Sequence, residues 1–126
     1  STDLRFHGYD RDAGAVRMAT ENSARAGVAE ICRFARQTVS ALTPPDGRPG
    51  LVIANPPYGG RVGDKRALYA LYGAFGAVLR ERFEGWRIGI VTSDPALARA
   101  TGLPLEEGPP VPHGGLKVRL YRTVPL

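Results

Sequence analysis

Apolar positions along the chain switch repeatedly between a spacing of two and a spacing of three to four, which predicts alternating strands and helices. Leu4, Phe6 and Gly8 alternate with Arg5 and His7, so a short strand over 4–9 is expected to end in Tyr9 and Asp10. Asp12 is placed to cap the next helix. Over 13–26 the small or apolar residues Val16, Ala19, Ser23 and Ala26 share one helical stripe, and Gly27 stops it. Ile31, Cys32 and Phe34 predict a second strand, and 43–50, with three prolines and two glycines, predicts a loop. Residues 51–54 are apolar without a break, the pattern of a strand buried on both faces in the middle of a parallel sheet. A long helix capped by Asp64 is expected next, with Leu68, Leu71, Tyr72, Phe75, Val78, Leu79 and Phe83 on one face and Gly85 at its end. Trp86, Ile88, Ile90 and Val91 read as a strand, and Pro95 opens a brief helix. A strand over 103–107, a proline-rich loop over 109–115 and a final strand carrying Leu116, Val118 and Leu120 complete the pattern.

The strand at 51–54 stops abruptly. Pro56 and Pro57 have no N–H to give a sheet ladder, and the residue before each proline is held extended, so Asn55, Pro56 and Pro57 leave the sheet as one stiff segment. In an open α/β sheet, the carboxyl end of a strand is where ligands sit. The segment suits methyl transfer to a planar amino group, whose lone pair is delocalised until its two hydrogens are drawn to fixed acceptors. The side-chain oxygen of Asn55 and the main-chain carbonyl of Pro56 are two such acceptors. Tyr58 offers an aromatic face for a base taken out of its stack. The bland alternative is a loop whose prolines only end a strand and whose tyrosine only packs.

A chain of 126 residues fits one domain, and its 43% hydrophobic and 23% charged composition is that of an ordinary globular chain. No apolar run approaches the length of a membrane span and the first residues show no signal-peptide pattern, from which a cytoplasmic protein without membrane attachment is expected. The single Cys32 excludes an internal disulfide and is read as buried filler. His7 and His113 are isolated from other ligand types, so no metal site is expected. Net charge is +5, and only Lys65 and Lys117 among the 17 cations are lysines. Arginine binds phosphate through a two-pronged fork, which leans the chain toward a nucleic-acid partner.

The run Asn55-Pro56-Pro57-Tyr58 resembles the fourth motif of the class I S-adenosylmethionine-dependent amino-methyltransferases. More narrowly, Gly8 to Asp12, Asn55 to Gly59, Gly85-Trp86, Thr92 to Pro95 and Gly114 to Leu120 are similar to the bacterial RNA methyltransferases that carry an amino-terminal THUMP domain and methylate exocyclic amino groups of guanine in 23S ribosomal RNA. The resemblance implies a Rossmann-like α/β core that is incomplete, lacking the first strand and the glycine-rich turn, with 1–126 as a single partial domain from the second strand to the closing hairpin. It implies S-adenosylmethionine as cofactor, with Asp10 accepting from the ribose hydroxyls, Thr38 at the position where the family usually has an acid facing adenine, and Asn55 at the reacting end. Asn55, Pro56, Pro57 and Tyr58 would be the catalytic set. Arg61, Lys65 and Arg66, just beyond it, are placed to hold phosphates of ribosomal RNA. Lys117, Arg119 and Arg122 form a second basic group that reads more simply as a solvated strand face. In the family's strand order the absent strand lies between those at 4–9 and 51–54, so this chain alone is expected to be inactive, to bind cofactor negligibly and to self-associate. Rival readings are an amino-methyltransferase acting on DNA adenine or a protein glutamine, and a non-catalytic basic RNA-binding module.

Overall fold

The computed structural model describes residues 3–58 and 65–126, and the chain divides into two compact units, Ser1–Pro45 and Asp46–Leu126. The first unit is a β-α-β element. Strand β1 (Phe6–Asp10) pairs in parallel with β2 (Cys32–Arg36), from Phe6 opposite Cys32 to Asp10 opposite Arg36. Helix α1 (Ala13–Arg25) makes the crossover, starting where the Asp12 carboxylate accepts from the Gly14 N–H at 3.0 Å. Of its expected stripe, Ser23 is buried, Val16 and Ala19 are half-buried and Ala26 is exposed. Ile31 lies in a single 3-10 turn, so β2 begins one residue later than its first apolar position, and Cys32 is half-buried rather than buried.

The second unit holds β3 (Leu51–Ala54), α2 (Lys65–Arg82), β4 (Arg87–Thr92), α3 (Pro95–Ala100), β5 (Glu106–His113) and β6 (Leu116–Arg122). Its sheet order is β3-β4-β6-β5, with β3 parallel to β4 and β6 antiparallel to both of its neighbours. Ile88, Ile90 and Thr92 alternate along β4 and are fully buried; with Tyr72, Phe75, Val78, Leu79 and Phe83 from α2 and its continuation they form the core. Asp64, the expected cap of α2, lies outside the described residues. Trp86 packs its ring edge-on to Phe83 with centroids 5.4 Å apart.

Two expectations are corrected here. The strand at 51–54 is not buried on both faces and does not lie in the middle of its sheet: among the described residues β3 pairs with β4 alone, and Leu51 and Ile53 are 58% and 60% exposed because nothing there covers the face they project from. Leu51 and Ile53 share the outward face with Arg87 and Gly89, while Val52 and Ala54 lie on the face of Ile88 and Ile90. The proline-rich stretch expected as a loop is mostly strand. β5 runs through Pro109, Pro110 and Pro112 because it is also an edge strand, where a missing N–H breaks no ladder on the open side. Its register shifts between Glu107 and Pro110, around Gly108. The turn to β6 is Gly114-Gly115, both at positive φ (54° and 83°), as a tight two-residue hairpin requires. No helix among the described residues is long and apolar enough to cross a membrane.

Candidate active site

In the second unit, Asn55 follows Ala54 at the carboxyl end of β3, and Thr92 ends the parallel neighbour β4 at the same edge. Asn55 and Pro57 are exposed; Pro56 and Tyr58 are half-buried. The segment is held from behind. Tyr72, fully buried on α2, donates its phenol hydrogen to the Pro57 carbonyl at 3.0 Å, with the Pro56 carbonyl at 3.4 Å and Thr92 Oγ1 at 3.3 Å. Thr92 Oγ1 also accepts from the Asp94 N–H at 3.3 Å, and the Asp94 carboxylate caps α3 by accepting from Ala96 N–H at 2.9 Å. Burial pushes the Tyr72 phenol above its ordinary pKa; the Thr92 hydrogen bond opposes this, and the nearby Tyr58 and Asp94 add to it. Tyr72 therefore stays a neutral donor.

Sequence reasoning placed Tyr72 on an apolar helix face and missed its role. A signal existed: a tyrosine among buried apolar positions usually has a hydrogen-bond partner for its hydroxyl.

In the first unit, Asp10 is the last residue of β1 and is exposed. Its Oδ1 accepts from the Asp12 N–H at 2.9 Å, a local turn that fixes the carboxylate, and its carbonyl accepts from the Gln37 N–H at 3.0 Å. Thr38 follows at the carboxyl end of β2, exposed, with Oγ1 3.3 Å from Ser40 Oγ. Asp10 and Thr38 thus share one end of a parallel pair. That end presents one tied and one available carboxylate oxygen, with a hydroxyl on the neighbouring strand, and a carboxylate oxygen can accept from the hydroxyls of a vicinal diol.

Lys65 and Arg66 are exposed in the first turn of α2; Arg61 lies outside the described residues. Arg119 is committed to Glu107 at 3.0 Å and to the Gly108 carbonyl at 2.9 Å, whereas Lys117 and Arg122 are exposed on the same strand. Among the described residues no three of His, Cys, Asp and Glu gather as a metal site would require.

A family described as "RMKL-like, methyltransferase domain" matches residues 1–107. The chain belongs to that family. It is 39% identical over 118 residues to Ribosomal RNA large subunit methyltransferase K/L of Legionella pneumophila (strain Lens), covering 94% of this chain and 16% of that protein. The protein of the same description from Allochromatium vinosum is 44% identical over 101 residues, 78% of this chain and 14% of the other. The chain therefore spans about a sixth of the length of these relatives. Among solved structures, SMU.472 complexed with SAH superposes with a TM-score of 0.85 at 26% identity, covering 96% of this chain and 32% of that one. The Rossmann-like class I methyltransferase fold expected from the motif is thereby established, as a partial core, for this RMKL-like domain.

Proposed function

We propose that this RMKL-like domain is part of the catalytic domain of an S-adenosylmethionine-dependent enzyme that methylates an exocyclic amino group of guanine in ribosomal RNA. The observation that carries the reading is the Asn55-Pro56-Pro57-Tyr58 segment leaving the carboxyl end of a parallel strand with its backbone anchored by Tyr72. When bound, S-adenosylmethionine supplies an electrophilic methyl group on a sulfonium. Asp10, through the oxygen that the Asp12 N–H leaves available, would accept from the ribose hydroxyls, and the Thr38 hydroxyl, at the carboxyl end of β2, would be the group offered to adenine. At the reacting end, Asn55 Oδ1 and the Pro56 carbonyl draw the two amino hydrogens into the acceptor plane, which frees the nitrogen lone pair. The Tyr58 ring supports the flipped base. No dedicated base is needed, since the alkylated nitrogen is acidic enough to lose its proton to water. Arg61, Lys65 and Arg66 hold flanking phosphates, and the enzyme acts in the cytoplasm on RNA.

Tritiated methyl transfer by the gene product that carries this chain tests the reading against its rivals. Ribosomal RNA is the expected acceptor. Labelling of DNA or of a protein glutamine instead, or RNA binding unaffected by Asn55→Ala and Asp10→Ala with no cofactor binding, would overturn it. Asn55→Ala is expected to lower kcat about 100-fold or more, the scale of a lost preorganised polar group, with little change in cofactor affinity.

A further inference from the structure

A phenol has one hydrogen, and Tyr72 has three acceptors around it. The Pro57 carbonyl is nearest at 3.0 Å; Thr92 Oγ1 and the Pro56 carbonyl stand at 3.3 and 3.4 Å. Hydrogen-bond strength falls off over this range, so the hydrogen goes to Pro57. The two adjacent carbonyls are joined through Pro57, whose ring locks φ and leaves ψ to set how one carbonyl is turned relative to the other. The Pro57 carbonyl is the one closely engaged from inside the fold, while the Pro56 carbonyl, 3.4 Å from the same hydroxyl, keeps a lone pair for a second donor. We propose that Tyr72 is the positioning residue of the Asn-Pro-Pro-Tyr segment: by engaging the Pro57 carbonyl from the core, it fixes ψ of Pro57 and with it the direction in which the Pro56 carbonyl is offered to the amino group being methylated.

The fold supports this assignment in two further ways. Tyr72 is fully buried in α2, so its hydroxyl cannot exchange the carbonyl for water as an exposed tyrosine would. Thr92, 3.3 Å away, is itself fixed by the Asp94 N–H at the start of α3, so the phenol meets a polar wall that does not rotate away. The anchor ties together the ends of β3 and β4 and the middle of α2, and its direction is therefore set by the core rather than by the loop.

The catalytic consequence rests on the proposed amino-methyl transfer, but the anchoring can be read without any activity. Pro57-Tyr58 is the sole Pro-Tyr pair in these 126 residues. Labelling the gene product with 13C-carbonyl proline and 15N-tyrosine gives this chain one carbonyl-to-amide NMR correlation, which reports the Pro57 carbonyl directly. Tyr72→Phe keeps the ring and removes the hydroxyl. It is expected to move the Pro57 carbonyl signal upfield and to lower kcat about 10-fold, the effect of one hydrogen bond, while KM for S-adenosylmethionine stays within about 2-fold. An unmoved carbonyl signal, or a moved signal with unchanged kcat, overturns the proposal. Wild-type protein that transfers no methyl group to RNA overturns the functional reading instead, and the carbonyl signal still decides the anchoring. If Tyr72→Phe does not fold, 3-fluorotyrosine at position 72, a stronger donor of nearly the same size, is expected to move the signal downfield. No movement there also overturns the proposal.

Discussion

A Cβ built on Gly76 would lie 1.9 Å from the carbonyl oxygen of Thr101, so α2 touches the end of α3 at a point where no side chain fits. The obstruction is backbone, with the Thr101 carbonyl carbon and Cα at 2.6 and 2.7 Å. Thr101 is also locked: its hydroxyl donates to the Ala98 carbonyl at 2.7 Å and accepts from the Leu103 N–H at 3.1 Å, and Arg80 donates to its carbonyl. Gly76→Ala would gain about 1 kcal/mol of helix propensity and lose about 1–3 kcal/mol or more to overpacking against a segment that cannot yield. The steric effect wins. Chemical denaturation of this chain is expected to show a net loss of stability, and an alanine variant as stable as the wild type would mean that α3 moves freely over α2.

The turn to Asp12 and the proposed cofactor contact of Asp10 are separable, because one carboxylate oxygen closes the turn while the other has no hydrogen-bond partner among the described residues. Asp10→Asn keeps an oxygen for the Asp12 N–H and replaces the second acceptor by a donor; Asp10→Ala removes both. Calorimetry on the complete gene product is expected to show S-adenosylmethionine affinity falling about 10-fold or more in both variants. Thermal stability should fall only in the alanine variant. Equal affinity in the wild type and the asparagine variant would remove Asp10 from the cofactor site.

The two buried tyrosines of the core predict opposite responses to loss of the hydroxyl. Tyr72 has its hydrogen bond to Pro57, whereas Tyr121 Oη is buried with no partner among the described residues. Tyr72→Phe is expected to cost about 1 kcal/mol, and Tyr121→Phe to be neutral or stabilising at pH 7. Burial raises both phenol pKa values above the ordinary tyrosine value. The folded protein then keeps these protons at a pH where the unfolded chain has begun to release them. Their stabilising difference is present in full below the unfolded value of about 10 and is lost as pH rises through the folded values. Denaturation midpoints measured from pH 8 upward should therefore fall above about pH 10 in the wild type and fall less steeply in either phenylalanine variant.

Legibility of the fold followed the range of the interactions that decide each element. α2 was readable because Tyr72, Phe75, Val78, Leu79 and Phe83 repeat at helical spacing and are all buried. The cap at Asp12 and the start of α3 at Pro95 were readable because they depend on immediate neighbours, whereas the Asp94 cap of α3 appears only in the structure. β5 was not, since three prolines are local evidence for a loop and only the strand's position at a sheet edge makes them tolerable. The exposure of Leu51 and Ile53 was equally hidden, because an unbroken apolar run says that a strand is suited to burial, not what lies against it. In the candidate site the Asn55-Pro56-Pro57-Tyr58 segment was legible as a motif. Its anchor was not, because Tyr72 and Pro57 are 15 residues apart and meet only when α2 folds back over the strand ends.

The apolar outward face of the second sheet makes a prediction about this chain alone. Leu51 and Ile53 are more than half exposed, Val124 is 71% exposed and Leu120 39%, and they line one depression with Gly89 and Arg87. Beside them, the outer edge of β3 pairs with no strand among the described residues, so its N–H and C=O groups are open to another chain. Both features favour association, while the net charge of +5 opposes it. The charge repulsion is screened by salt, with a Debye length of about 10 Å at 0.1 M and about 3 Å at 1 M, whereas the apolar contribution is not weakened. Light scattering on the 126-residue chain is therefore expected to show a mass above 13.5 kDa that rises with salt. Ile53→Lys places a like charge on the edge strand of every copy, at a position already 60% exposed, and should return the chain to a monomer without unfolding it. A compact monomer at high concentration and high salt, or a mass that Ile53→Lys leaves unchanged, would show that this face does not drive association.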